Sequence, residues 1–458
     1  MVKSSVIARL STILGKAKVD TTHEVLKAYS YDGTTNWVCE PDVVVFPSTA
    51  DEISGVLKIA NEERIPVTPR GAGTCLSGGP VPINNGIVLC TVNMNNILKI
   101  DKENWTVTVE PGVVLMNLNN ELGRDGFFFP PDPQSFLSAT IAGMIAENAG
   151  GPACLKYGVT RQYVLGLEVV LPTGTIVHLG KKYYRTPGYN LADLIIGSEG
   201  TLGIVTKAQL KILPLPEARK TILGIYDDVA LAGENVYRIL ESGIIPGKIE
   251  LIDNWVINKF EDMMHIGLPR QADAVLLFEV DGTPDVVETD AARIGEIARK
   301  YGAQDVRIAK DAEEANKYWT GRRAGFAAVF GAAKTVMAED VTVPRGNIPD
   351  LIRDCKEIGN RYKVEIVILG HAGDGNLHPA ILTDSDDYQH YERAEKAMDE
   401  IFSSAIRWGG VISGEHGIGL EKKRYLKRGV EPAAINMMKN IKAIFDPNNI
   451  MNPGKIWE

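Results

Sequence analysis

Pro69-Arg-Gly-Ala-Gly-Thr-Cys-Leu-Ser-Gly-Gly79 sets four glycines, at 71, 73, 78 and 79, in one short run. Glycine reaches positive φ without a Cβ clash, so successive backbone N–H groups in such a run can converge on an anion, a phosphate or pyrophosphate being the natural guest. Leu76 occupies the last position of Gly-x-Gly-x-x-Gly, and no Gly-Lys-Ser/Thr ending follows, so neither a standard dinucleotide fingerprint nor a nucleoside triphosphate loop is indicated. Alone, the run also reads as a tight turn. Two further small-residue stretches change the balance: Ser138-Ala-Thr-Ile-Ala-Gly-Met-Ile-Ala-Glu-Asn-Ala-Gly-Gly151 and Gly197-Ser-Glu-Gly-Thr-Leu-Gly203 repeat the same close backbone approach. A long cofactor needs several such contacts.

Outward from the loop, Pro41-Asp-Val-Val-Val-Phe-Pro47 reads as a short buried strand. Thr49-Ala-Asp-Glu52 is a capping-box signal for a helix running to about Asn61. Strands are expected at Gly86–Val92 and Trp105–Val109, and a hairpin pairs Val164–Leu171 with Thr175–Leu179 around Pro172-Thr-Gly174. Near Pro214-Leu-Pro216 the pattern becomes alternating strands and amphipathic helices, the texture of a separate α+β unit. The expected fold class is α+β, divided into an N-terminal helical segment 1–37, a cofactor domain 38–215, a cap domain 216–419, and a C-terminal helical segment 420–458 that packs back on the cofactor domain. In Met1–Asp20 the recurrence of Ile7, Leu10 and Leu14 favours an amphipathic helix over a targeting peptide.

A chain of 458 residues is long enough for two or three cores. Its 49 Lys and Arg against 58 Asp and Glu form no basic stripe interleaved with aromatics, which argues against nucleic acid as a partner. Cys39, Cys75, Cys90, Cys154 and Cys355 are scattered, with no Cys-x-x-Cys pair for an iron–sulfur cluster, and a reduced, cytoplasmic setting fits them. No apolar run approaches the roughly 20 residues needed to span a bilayer.

Two histidine-glycine clusters carry the remaining chemistry: His371-Ala-Gly-Asp-Gly-Asn-Leu-His378 and Ser413-Gly-Glu-His-Gly417. Val364–Leu369 and Leu377–Leu382 read as strands, and Gly373 and Gly375 permit a sharp loop between them, so that the two imidazoles can face each other. A lone histidine is usually a hydrogen-bonded structural residue. Two flanking one turn, with Glu415-His416 on a second glycine-bounded loop, also make a plausible metal site. His23, His178, His265 and His390 match no motif.

With these elements the chain resembles the FAD-binding oxidase family of the vanillyl-alcohol oxidase and p-cresol methylhydroxylase fold, in the branch of D-lactate dehydrogenases, glycolate oxidase flavin subunits and D-2-hydroxyglutarate dehydrogenases. The matching motifs are Pro-Arg-Gly-Ala-Gly-Thr from 69, Pro-Pro-Asp-Pro from 130, Ile-Ala-Glu-Asn-Ala-Gly-Gly from 145, Lys-Tyr-Gly-Val-Thr from 156, Gly-Ser-Glu-Gly-Thr-Leu-Gly-Ile from 197, both histidine clusters and Asn452-Pro-Gly-Lys455. The resemblance implies a two-part FAD-binding domain under an α+β cap. It implies that Arg70, Gly71, Ala72, Gly73, Thr74, Ser77 and Gly78 wrap the FAD pyrophosphate. The other parts of FAD fall to Pro131, to Thr140, Gly143, Asn148 and Gly150, to Thr160, to Glu199, Gly200, Gly203 and Ile204, and to Asn452. Some relatives tether FAD through a loop histidine. Here the loop has none, so non-covalent FAD is expected, with Cys75 a packing residue.

The resemblance further implies a divalent metal (Fe, Zn or Mn) on His371, His378 and Glu415, with His416 as the base, Arg322 pairing with the substrate carboxylate, and hydride transfer to flavin N5. Ala338 stands where 2-hydroxyglutarate enzymes tend to carry a lysine, which favours a short monocarboxylate. The expected activity is oxidation of D-lactate or glycolate to the 2-oxo acid, with electrons passed to a partner such as an electron-transferring flavoprotein or an iron–sulfur subunit. The alternatives are a D-2-hydroxyglutarate dehydrogenase, a metal-dependent hydrolase or lyase without redox function, a non-catalytic FAD-binding electron-transfer subunit, and an enzyme of this fold acting on an aromatic alcohol or an alkyl ether lipid precursor.

Overall fold

The computed structural model describes residues 2–34, 36–180 and 188–458. Met1 and Thr35, within the expected N-terminal segment, lie outside the described residues. The chain forms two compact units, one of Met1–Gly150, Val159–Leu215 and Glu415–Glu458, the other of Gly151–Gly158 and Pro216–Gly414. The mixture of helices and sheets makes the fold class α+β. Among the described residues no helix is long and apolar enough to cross a membrane.

The first unit holds a four-stranded sheet in the order Val19–Asp20, Val43–Val45, Ile87–Cys90, Val67–Arg70, and a five-stranded antiparallel sheet in the order Ile97–Asp101, Thr106–Val109, Ile204–Lys211, Val164–Val170, Ile176–Gly180. Val43–Val45 and Val67–Arg70 both lie parallel to Ile87–Cys90, and parallel strands need a crossover, supplied here by the helix Ala50–Glu63. Thr49 Oγ1 accepts from the Glu52 N–H, and Glu52 reaches back to the Ser48 N–H at 2.6 Å, one residue earlier than a regular capping box. The helix passes Asn61 by two residues and stops at Arg64 in the left-handed region, φ 53°. Val6, Leu10 and Leu14 of the helix Ser4–Leu14 pack into the same core as Ile53, Val56 and Leu57. Its buried stripe therefore runs through Val6, with Ile7 at the margin.

The second unit is built on an eight-stranded sheet. Its order is Asp305–Ile308, Ala218–Tyr226, Ala274–Gly282, Lys248–Asp253, Glu365–His371, Asn376–Thr383, Thr335–Ala338, with Val341–Thr342 also pairing Asn376–Thr383. The helices Asn254–Met264 and Ala312–Phe330 cover one face, sharing a core with Leu223, Leu277 and Leu369. They cross closely because Gly321 and Gly325 carry no side chain. A Cβ on Gly321 would lie 1.4 Å from the Phe260 ring, and one on Gly325 would lie 2.6 Å from Val256 Cγ1. Gly321→Ala is expected to cost about 1–3 kcal/mol through overpacking, read as a lower midpoint in urea unfolding, whereas Gly331→Ala, whose Cβ would meet nothing nearer than 3.7 Å, should leave the midpoint unchanged.

Candidate functional site

In the first unit the glycine loop leaves the end of the strand Val67–Arg70. Arg70 is buried, donates from Nη1 to the Tyr31 carbonyl at 2.7 Å and lies over the Tyr29 ring. Gly71 admits no side chain, since its Cβ would stand 2.2 Å from Thr140 Oγ1, the N-cap of the helix Ile141–Glu147. Gly73 and Gly78 have φ of +74° and +76°. The Gly78 N–H is taken by Asp32 Oδ2 at 2.8 Å.

The second and third glycine stretches meet this loop. Asn148 adopts φ 53° and accepts the Arg161 N–H, and Thr160 Oγ1 donates to the Ala149 carbonyl at 2.7 Å. Glu199, with φ 52°, is buried, and its two oxygens accept the N–H groups of Ile418 and Gly419, each at 2.7 Å. It thereby pins the segment that follows His416. A Cβ on Gly417 would lie 2.6 Å from Glu147 Oε2 and 3.0 Å from Glu199 Oε1, so two carboxyl groups press on one glycine. Burial, and then the charge of Glu199, push the Glu147 carboxyl well above the ordinary range. Burial and the adjacent Glu147 likewise raise the Cys75 thiol, which disfavours the nucleophilic thiolate.

These residues form a cradle suited to a long anionic guest: three loop glycines, Gly71, Gly73 and Gly78, are fixed by close approach or positive φ, and Asn452 Oδ1 is a buried acceptor with no hydrogen-bond partner among the described residues. Asn452 Nδ2 meanwhile donates to the carbonyls of Gly79 and Glu199, joining the first and third stretches.

In the second unit His371 ends one strand and His378 lies two residues into the next. The antiparallel register sets His371 opposite Asn376 and Leu369 opposite His378, which puts both imidazoles on one face. Their rings meet edge to face, centroids 5.0 Å apart at 83°. Glu250, opposite His371 on the neighbouring strand, accepts from His371 Nδ1 at 2.6 Å, and its other oxygen lies 2.5 Å from Arg322 Nη2. A carboxylate that only accepts fixes the proton on Nδ1 and leaves the Nε2 lone pair as the donor, the arrangement in which a histidine binds metal. Glu250, Arg322, His371 and His378 are all buried. Asp340 anchors the start of the second cluster, accepting from the Gly414 N–H at 2.7 Å and the Ser413 hydroxyl at 3.1 Å. A Cβ on Gly414 would stand 2.7 Å from the Asn376 side chain, so the residue preceding Glu415 is packed against the His371–His378 hairpin.

The model for the FAD binding domain matches residues 41–180, and that for the C-terminal domain of FAD linked oxidases matches 215–456. The chain belongs to the FAD-linked oxidase family. It is 44% identical over 458 residues to the glycolate oxidase subunit GlcD of Bacillus subtilis, covering 100% of this chain and 97% of that one. It is 36% identical over 450 residues to a D-lactate dehydrogenase of Anaerostipes hadrus, covering 95% and 92%. A structure of p-cresol methylhydroxylase with substrate bound shares the fold, with a TM-score of 0.81 at 18% identity over 99% of this chain and 96% of the other. In this FAD-linked oxidoreductase the match to the FAD binding domain falls mostly in the first unit, with residues 151–158 belonging to the second.

Reading the FAD-linked oxidase motifs alone missed Glu250, Glu147 and Lys455. Glu250 had a visible signal, an acid at the centre of the apolar strand Lys248-Ile-Glu-Leu-Ile-Asp253. Lys455 and Glu147 each stand in a family motif, Asn452-Pro-Gly-Lys455 and the run from Ile145, in which neither carried an expected role.

Proposed function

We propose that this FAD-linked oxidoreductase oxidises a small 2-hydroxy acid, glycolate or D-lactate, to the 2-oxo acid. The observation that carries the reading is the chain Arg322–Glu250–His371 beside His378, a buried cation and two packed imidazoles on interior strands of the second unit's sheet. The names of the two relatives support the substrate class. FAD, held without a covalent link, supplies the two-electron acceptor. A divalent ion on His371, His378 and Glu415 would supply a Lewis acid that favours the ionised substrate hydroxyl. The packed imidazoles of His371 and His378, with Glu250 fixing the tautomer of His371, support that site.

Arg322 takes the substrate carboxylate in this reading. Its guanidinium carries five N–H donors in a fixed plane, and the contact with Glu250 engages one edge, which sets the orientation of the rest. His416 accepts the hydroxyl proton, a task suited to an imidazole that is largely neutral near pH 7. Ala338 lies opposite Ala380, on the face of the strand that also carries His378. A methyl group there offers no cation to a second carboxylate, which favours a monocarboxylic acid. Electrons leave for a separate partner, an electron-transferring flavoprotein or an iron–sulfur subunit, and the five free cysteines support a reducing, cytoplasmic setting.

Anaerobic titration of the flavin absorbance with glycolate, D-lactate, L-lactate and D-2-hydroxyglutarate tests the assignment. Bleaching by glycolate or D-lactate is the expected result. Bleaching by D-2-hydroxyglutarate alone would overturn the substrate, and a flavin that none of the four bleaches would overturn the reaction.

A further inference from the structure

The turn Asn452–Lys455 closes on the far end of the glycine loop. Lys455, 2% exposed, donates from Nζ to three backbone carbonyls: Gly78 at 2.8 Å, Gly79 at 2.9 Å and Val81 at 2.6 Å. Three carbonyls drawn to one ammonium set the peptide planes from Gly78 to Pro82; Pro80 and Pro82 follow two of them and carry no N–H, so only the Gly78–Gly79 peptide has an N–H edge, turned away from the lysine. The charged groups that face it are Asp32, Glu147 and Glu199, together with the Cys75 thiol. Asp32 holds the Gly78 N–H, and Glu199 holds the backbone of 418 and 419. Lys455 is thus a buried cation within the acidic group around the loop, and the buried Lys422 also acts on its Glu199.

We propose that Lys455 is a positioning residue for FAD: its ammonium fixes the Gly78–Val81 end of the glycine loop in the shape that receives the cofactor's diphosphate, and its charge couples cofactor binding to a proton. This rests on the reading of residues 70–78 as the diphosphate loop. Burial lowers the Lys455 ammonium to about 8 from its ordinary 10.5, against the opposing pull of Cys75 and the three acids. An incoming diphosphate adds negative charge and raises the proton affinity of the lysine. FAD therefore binds tightest below about pH 8, where Lys455 is charged with or without cofactor, and more weakly as pH rises through that value. The neutral amine keeps two N–H donors for three carbonyls and loses its charge.

The test is FAD binding to the deflavinated full chain, followed by flavin fluorescence from pH 6.5 to 9.5, for wild type, Lys455→Arg and Lys455→Met, with thermal unfolding of each apoprotein as the folding control. The wild-type Kd should weaken by about tenfold or more across the range, the arginine variant should bind with little dependence on pH, and the methionine variant should bind weakly throughout. A folded methionine variant with wild-type affinity, or an arginine variant that keeps the wild-type pH dependence, overturns the proposal. The second result would place the titrating charge on Glu147 or Cys75. Should the methionine variant fail to fold, the comparison of wild type with arginine decides alone. Wild-type protein that takes up no FAD at any pH would overturn the FAD assignment along with this inference.

Discussion

Replacing Glu250 with Gln is expected to cost about 3–5 kcal/mol of stability, because it leaves the buried Arg322 guanidinium without this counter-charge. The amide is isosteric and its oxygen can still accept from His371 Nδ1, so the loss isolates charge from shape. In the metal site proposed above Glu250 would be an outer carboxylate that makes the imidazole more basic, and loss of such a group typically lowers metal affinity by about 10–100-fold. Urea unfolding and metal content measured on the same preparation separate the two effects. Glu250→Gln with the wild-type unfolding midpoint and full metal content would show that the Arg322–Glu250–His371 chain neither supports the fold nor orients a ligand.

Gly375→Ala should leave most of the fold intact and remove most of the activity. Gly375 has φ +85°, and a Cβ there would lie 2.1 Å from the Val343 carbonyl oxygen, a backbone atom that no rotamer change can move aside. The Gly375 carbonyl in turn accepts the Val343 N–H at 3.1 Å, so the turn is pinned to its neighbour from both sides. The displacement falls between His371 and His378, and misplacing reacting groups by about 1 Å costs on the order of 100-fold in rate. Flavin reduction by glycolate or D-lactate in stopped flow should slow by about that factor. Gly346→Ala, which meets no atom within 4 Å, is the matched control. Equal rates for the two variants would remove the hairpin from the reaction.

The strands and glycine turns of the histidine hairpin were legible because their information is local. The β-rich stretches Glu365–His371 and Asn376–Thr383 flank Gly373 and Gly375, and period-2 alternation puts His378 on a known face of its strand. Likewise Thr49 and Glu52 announced their helix from four adjacent residues. Glu250 was not legible in that way. Its role comes from sheet register, with a partner 121 residues away at His371, and antiparallel register across such a distance leaves no mark in either segment beyond an acid where an apolar residue was due. The assignment of Gly151–Gly158 to the second unit also escaped, because Lys156 and Tyr157 are tied there by Asp281, a contact between residues 125 and 124 positions apart.

The clasp on the glycine loop also has a temporal side. Gly78 and Lys455 are 377 residues apart, with the whole sheet of the second unit encoded between them. A ribosome adding roughly 5–20 residues per second reaches the lysine about 20–75 s after it has made the glycines. Throughout that interval the nascent first unit lacks the three hydrogen bonds that shape its loop, and the strand Val67–Arg70 lacks its contact with Ile450. If Lys455 shapes the loop as proposed, the loop cannot take its final form until residue 455 has been made, well after the strands of the second unit.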